Sequence, residues 1–254
     1  MKLNSTALAA ILISISSFSA QATLNNLVYN GDFELTSNGV GQLGAITNAT
    51  GWTSDYDATH FGFNFILDKN ADKTGFASEN TASKGTNIFM WGPQGSEGRF
   101  SDNGFKQSHN GGNFLGSDGA YANTKIWQNI NNLVIGNKYT LTFEWAAGQF
   151  TDRTGETTSN WEVYFGNQAP VSTEIKSVGS KGFNDWSFKE FTFEAKNTTE
   201  TLAFLAKGTP TGEPPFAMID NISLVPVTPV PEPETYALMG LGLVALVARR
   251  RAKK

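Results

Sequence analysis

From residue 24 to about 227 the apolar positions recur every second residue rather than at helical spacing. In KYTLTFEWA (138–146), Tyr139, Leu141, Phe143 and Trp145 fall on one face and Thr140, Thr142 and Glu144 on the other. That alternation is the mark of an antiparallel strand covered on one side. Eight further short runs rich in β-branched and aromatic residues lie at 27–34, 61–67, 87–91, 125–130, 161–166, 187–195, 201–206 and 217–225. Clusters of Gly, Asn, Asp and Pro separate them, as turns require. Short strands at regular spacing, with no helical stretch and no alignable repeat, predict an all-β sandwich or barrel over 23–226. The longest irregular segment is the Gly/Ser/Asn-rich 92–119, and long loops on a rigid sandwich are where binding residues concentrate.

The two ends break this pattern. Lys2, an apolar run at 7–15 and the small-x-small triplet Ala20, Gln21, Ala22 have the order of a secretory signal peptide spanning 1–22. At the other end, a Pro-rich stalk at 227–234 contains Pro231, Glu232 and Pro233. An apolar run follows at 235–248, and then the bases Arg249, Arg250, Arg251, Lys253 and Lys254. As a helix the apolar run is about 21 Å long, short of a hydrocarbon core of about 30 Å. The basic cluster would stay on the cytoplasmic side of this short transmembrane helix. The order of parts resembles the PEP-CTERM protein-sorting signal, also known as the ice-binding protein C-terminal motif. It departs from that pattern slightly, because Glu234 and Thr235 follow the second proline where a small hydroxyl residue is usual. The resemblance implies processing by an exosortase, a membrane-embedded cysteine protease-transpeptidase of Gram-negative bacteria that make exopolysaccharide. It places the protein at the cell envelope, the surface or the extracellular matrix, with transient membrane anchoring.

Composition narrows the body further. The chain's 254 residues include no cysteine, so neither disulfides nor thiol chemistry is available to an exported domain. Formal charge is −4 overall. With Lys2, the five tail bases, Glu232 and Glu234 set aside, 13 basic residues face 21 acidic ones, a net −8 that argues against a nucleic-acid partner.

The order of the strand runs carries a second resemblance. NLVYNGDFE (26–34), GWT (51–53), the strand between Gly136 and Gly148, and IDNISL (219–224) are similar to the galactose-binding-like jelly roll, a β-sandwich shared with carbohydrate-binding modules. In many such modules a structural calcium ion joins the first strand to the last. The resemblance places Glu34 and Asp220 as its carboxylate ligands, with Asp32 as a helper, and hard oxygen donors of this kind suit calcium. The competing reading is an ordinary set of strand-end carboxylates in turn hydrogen bonds.

Other motifs are weaker. Asp68, Asn70, Asp72 and Glu79 fall at positions one, three, five and twelve of an EF-hand-like loop, but Lys73 replaces the required glycine, Phe76 sits at position nine and no helices flank it. Residues 39–44 match GxGxxG without the strand and helix that a dinucleotide site needs. The two histidines, His60 and His109, lack metal-ligand spacing, and there is no GxSxG elbow. Carboxylates such as Glu144 and Glu162 could pair across strands as a glycosidase acid and nucleophile, against the plainer reading of solvated sheet-face charges. The protein is therefore expected to be non-enzymatic. Sugar rings stack on flat aromatic faces, and of the six tryptophans Trp145 and Trp161 fall in phase with core positions. Trp91, Tyr121 and Trp127, beside the glycine-rich segment, are the candidate glycan-binding residues. The functional expectation is an exopolysaccharide-associated, biofilm-type protein, possessing a glycan site. A secreted carbohydrate-active enzyme and a structural matrix protein without specific ligand are the alternatives. No regular threonine ladder supports ice binding.

Overall fold

The computed structural model describes residues 25–55, 62–73, 78–80, 86–95, 99–227, 240–242 and 249–251. The leader 1–22, the triplet Pro231, Glu232, Pro233 and most of the apolar run lie outside these residues. The strand-forming runs become β1 (Gly41–Gln42), β2 (Thr53–Ser54), β3 (Asn64–Leu67), β4 (Ser78–Asn80), β5 (Thr86–Ile88), β6 (Phe114–Asp118) and β7 (Ile126–Ile130). They continue as β8 (Lys138–Gly148), β9 (Thr157–Phe165), β10 (Val171–Ser172), β11 (Lys176–Val178), β12 (Phe183–Glu194), β13 (Glu200–Thr209) and β14 (Phe216–Pro226). One sheet has the order β1-β3-β6-β14-β8-β12 and the other β10-β9-β13-β7-β2, with β11 also on β9; β4 and β5 form a separate hairpin. All the paired strands are antiparallel. The result is an all-β sandwich of two antiparallel sheets. Residues 240–242 and 249–251, which include Arg249, Arg250 and Arg251, are helical. Among the described residues no helix is long and apolar enough to cross a membrane.

Alternation places the core. Phe143 and Trp145 of β8, Trp161, Val163 and Phe165 of β9, Phe204 of β13 and Ile219 of β14 meet between the sheets in one buried cluster. A second cluster covers the opposite face of the first sheet. There Phe65, Leu67, Phe114, Ala146, Phe216 and Met218 pack under Met90, Phe105 and Phe150. This corrects two expectations. The far end of β8 is buried on both faces rather than one. And much of 92–119 before β6 is cover, with Phe105 packed over apolar positions of the first sheet that include Phe114 of β6 itself, because those positions would otherwise face water.

The run 27–34 is not a strand. Positive φ at Asn30 (53°) and Phe33 (56°) bends the chain. It is nevertheless stapled to β14, since Leu27 N–H donates to Leu224 O at 2.8 Å and Ile222 N–H to Gly31 O at 2.9 Å. Asn26 adds a side-chain bond to Ile222 O at 3.2 Å and accepts from Leu224 N–H at 2.9 Å. The approach is so close that a Cβ on Gly31 would lie 2.0 Å from Ile222 O. Gly31→Ala is therefore expected to destabilise the domain by about 1–3 kcal/mol through forced separation of these segments. Denaturant titration would show the loss, and an unchanged midpoint would contradict the staple.

Candidate functional site

The second sheet turns its outer face to solvent, and there strand register builds an aromatic cleft. Ala203 of β13 is paired with Trp127 of β7 on one side and Tyr164 of β9 on the other. Neighbouring strands lie about 4.8 Å apart, so a small residue between two aromatic ones leaves a trough about 10 Å across. The cleft encloses about 450 Å³ and is lined by Asp55, Lys125, Trp127, Asn129, Tyr164, Gly166, Thr201 and Ala203.

Polar neighbours hold the rings. Trp127 Nε1–H donates to Asp55 Oδ1 at 2.9 Å, and the Tyr164 hydroxyl donates to Glu162 Oε2 at 2.7 Å. Desolvation, followed by the hydrogen bond to Glu162 and its charge, pushes the Tyr164 phenol up to about 12, so it stays a neutral donor. Lys125 Nζ lies 3.6 Å from the Tyr164 ring centroid. Thr201 Oγ1 donates to Asn129 Oδ1 at 2.9 Å, and both residues line the cleft. A flat indole beside amide, carboxylate and ammonium groups can stack a sugar ring and hydrogen-bond its hydroxyls.

Of the three aromatic residues singled out in the sequence, only Trp127 lines this cleft. Trp91 is 6 % exposed; its indole N–H donates to Arg153 O at 2.7 Å and Lys181 Nζ sits 4.6 Å from its ring. Its faces are taken by packing, because the segment around it serves as cover for the second core. Tyr121 is 58 % exposed but packs edge-on against Phe63, with ring centroids 5.0 Å apart, outside the cleft. Tyr164, Asp55, Lys125 and Asn129 were missed. The signal for Tyr164 was present in WEVYFG, where Trp161, Val163 and Phe165 claim one face and leave Glu162 and Tyr164 on the other.

The carboxylates expected at the strand closure gather at a second cleft of about 540 Å³, lined in part by Asn26, Asp32, Glu34, Asn110 and Asn221. Glu34 Oε1 accepts from Asn113 N–H at 2.6 Å. Asp220 sits behind the wall, fully buried, directly across the strands from Glu144. Its carboxyl accepts from the Ser108 hydroxyl, and from Asn221 N–H at 2.7 Å. Glu144 Oε2 accepts from His109 N–H at 2.9 Å and from Asn221 Nδ2 at 2.8 Å. Burial first, and then the charges of Glu144 and Asp32, push the Asp220 carboxyl up to about 8 despite those hydrogen bonds. The β-bulge between Asp220 and Ser223, with Asn221 at φ 54°, shifts the strand phase here, so that Asp220 faces outward while Ile219 and Ile222 both point inward. The oxygen-only donors and surplus negative charge suit a hard divalent cation. Among the described residues, however, no three acidic or histidine side chains converge closely enough to hold one by themselves. Asp32 and Glu34 line the open cleft, and Asp220 lies buried behind them.

Glu144 lies on the outer face of the first sheet and Glu162 on that of the second, so these two do not form an acid–nucleophile pair. In the EF-hand-like stretch, Asp68 Oδ1 accepts from Asn70 N–H at 2.7 Å and Asp72 Oδ2 from Gln94 N–H at 3.1 Å. The first closes a local turn, and the second ties this stretch to the segment around Gln94.

Residues 229–251 match the PEP-CTERM protein-sorting motif, so the chain carries the signal of an exosortase-sorted surface protein. Among curated proteins none matches the chain. Solved structures with a similar fold include the carbohydrate-binding module TmCBM61 in complex with β-1,4-galactotriose, at 12 % identity and TM-score 0.40, covering 80 % of this chain and 99 % of that one. The CBM22-1 xylan-binding domain from Paenibacillus barcinonensis is similar at 10 % identity and TM-score 0.37, covering 82 % and 97 %. A cyclase from Fischerella sp. TAU is similar at 14 % identity and TM-score 0.47, covering 80 % and 97 %.

Proposed function

We propose that the body is a galactose-binding-like jelly roll that binds a glycan chain, without turnover, in the cleft between Trp127 and Tyr164. The sorting tail delivers it to the cell surface or the surrounding exopolysaccharide. One observation carries the reading: two aromatic rings flank a small residue on an open sheet face and are surrounded by groups that hydrogen-bond sugar hydroxyls. Asp55 and Glu162 each already accept a hydrogen bond from the neighbouring aromatic side chain, which makes them positioning groups for the rings. The net charge of −8 on the body favours neutral glycans over strongly anionic ones. During export the apolar run of the tail engages the membrane, and Asp32 with Glu34 takes up calcium weakly at the acidic cleft.

Stacking on one indole with a few exposed hydrogen bonds gives a dissociation constant of roughly micromolar to millimolar. Affinity electrophoresis through neutral polysaccharides should show retardation of wild type and of Tyr121→Ala, with about a tenfold or greater loss of affinity for Trp127→Ala. Equal mobility of all three, with and without polysaccharide, would remove the glycan-binding reading. Release of new reducing ends would replace it with a carbohydrate-active enzyme.

A further inference from the structure

Both ends of the domain leave from one pole. Leu27 lies beside Leu224 and Gly31 beside Ile222, so the first described residues run antiparallel to the end of β14 and point back toward its last residue, Pro226. Val227 N–H donates to Lys138 O at 2.9 Å, and Lys138 opens β8. Immediately before Lys138 the chain turns over 134–137, where Asn137 N–H donates to Val134 O at 3.0 Å and Gly136 N–H to Ala195 O at 2.9 Å. Gly136 has φ 84°, as the second central position of a type II turn requires, which puts Ile135 at the first. Turn tips normally carry Pro or small polar residues. Here Val134 is 57 % and Ile135 62 % exposed, while Leu133 just before them is buried in the core. Val227, at the root of the tail, is 45 % exposed. The apolar tip is flanked by the exposed side chains of Lys138 and Lys196, which outnumber the one carboxylate between them, Glu194, paired with Lys196 and opposite Lys138 across the strands.

Chain length says what lies opposite this pole. Eight steps separate Val227 from Thr235, where the apolar run of the tail begins, and a fully extended chain spans at most about 29 Å over that distance. We propose that the Val134–Ile135 turn is a membrane-contact tip, seated in the headgroup layer of the bilayer that the tail engages. Lys138 and Lys196 face anionic headgroups on either side of it. The proposal rests on the reading that the tail engages the membrane, and it commits to the lipid surface as the occupant.

The chain has no cysteine, so one introduced thiol can be labelled uniquely. Ile135→Cys carrying an environment-sensitive nitrobenzoxadiazole dye would be reconstituted as the full-length chain into phosphatidylethanolamine–phosphatidylglycerol vesicles. Thr211→Cys serves as the reference, on the exposed β13–β14 connection at the opposite pole. The expected result is a threefold or greater rise in emission at 135, quenched by headgroup-proximal spin-labelled lipid, and no rise at 211. Equal emission at both positions in chains that co-float with the vesicles would overturn the tip. Chains that fail to co-float would overturn the tail reading and the tip with it. A rise at 135 that needs a co-reconstituted membrane protein would overturn the lipid surface as occupant.

Discussion

Asp220→Asn is expected to raise the thermal midpoint at pH 8 in the presence of chelator and to leave it unchanged near pH 4. Asp220 is fully buried opposite Glu144, and its carboxyl is raised from the ordinary 3.8 to about 8. A group raised in the folded state adds stability in full below its unfolded value and loses it as pH climbs through the folded one. Wild type should therefore weaken between about pH 4 and pH 8. At 1.36 kcal/mol per unit, the shift sets an upper bound of about 6 kcal/mol on that loss, or about 12–24 °C in a domain of this size. Asparagine keeps the shape, accepting from Asn221 N–H and donating to Ser108, but carries no charge. The variant's advantage should appear only as pH rises. Millimolar calcium at Asp32 and Glu34 should narrow the gap by stabilising the ionised carboxyl of wild type. A variant weaker than wild type at pH 8 in chelator would contradict this account, and a gap indifferent to calcium would remove the ion.

Trp145→Ala should cost about 3–5 kcal/mol in denaturant titration, the range for truncating a buried tryptophan. Trp145 is fully buried in the main core, and its indole N–H donates to Glu174 Oε1 at 3.3 Å. Its ring also supports a buried cation: Lys176 Nζ lies 4.4 Å from the ring and donates to Trp145 O at 2.8 Å. Burial already lowers the Lys176 amine to about 8, so removing the ring leaves an ammonium with less to compensate its desolvation. Trp127→Ala, on the open face of the other sheet, should shift the same midpoint by less than about 1 kcal/mol. Equal losses for the two would contradict the division between core and binding face.

The period of two in KYTLTFEWA placed Tyr139, Leu141, Phe143 and Trp145 inward, and the sheet keeps them there because alternation needs no tertiary knowledge. The bent segment at 27–34 was not legible in the same way. Its apolar residues read as a strand, but Asn30 and Phe33 take positive φ, which a propensity argument does not foresee for phenylalanine. The role of 92–119 was misread for a related reason. Phe105 stands apart among polar residues, and only the apolar outer face of β3, β6, β8 and β14 shows what it covers. For the candidate site, Trp127 was visible in the sequence, whereas Ala203 was not, because a small residue becomes a trough only when register places aromatic neighbours on both sides. Asp220 opposite Glu144 likewise follows from register and not from spacing.

The central claim is that a glycan sits on the Trp127 indole. Six tryptophans give six indole N–H resonances, and the Trp127 signal, held by Asp55, can be assigned by its loss in Trp127→Phe. Titration with a neutral polysaccharide that retards the protein should move this signal progressively while those of Trp91, Trp145 and Trp161, which are buried, stay in place. A titration that shifts one of the buried indoles and leaves Trp127 unmoved, or that moves none of the six, would contradict the assignment of the cleft as the binding site.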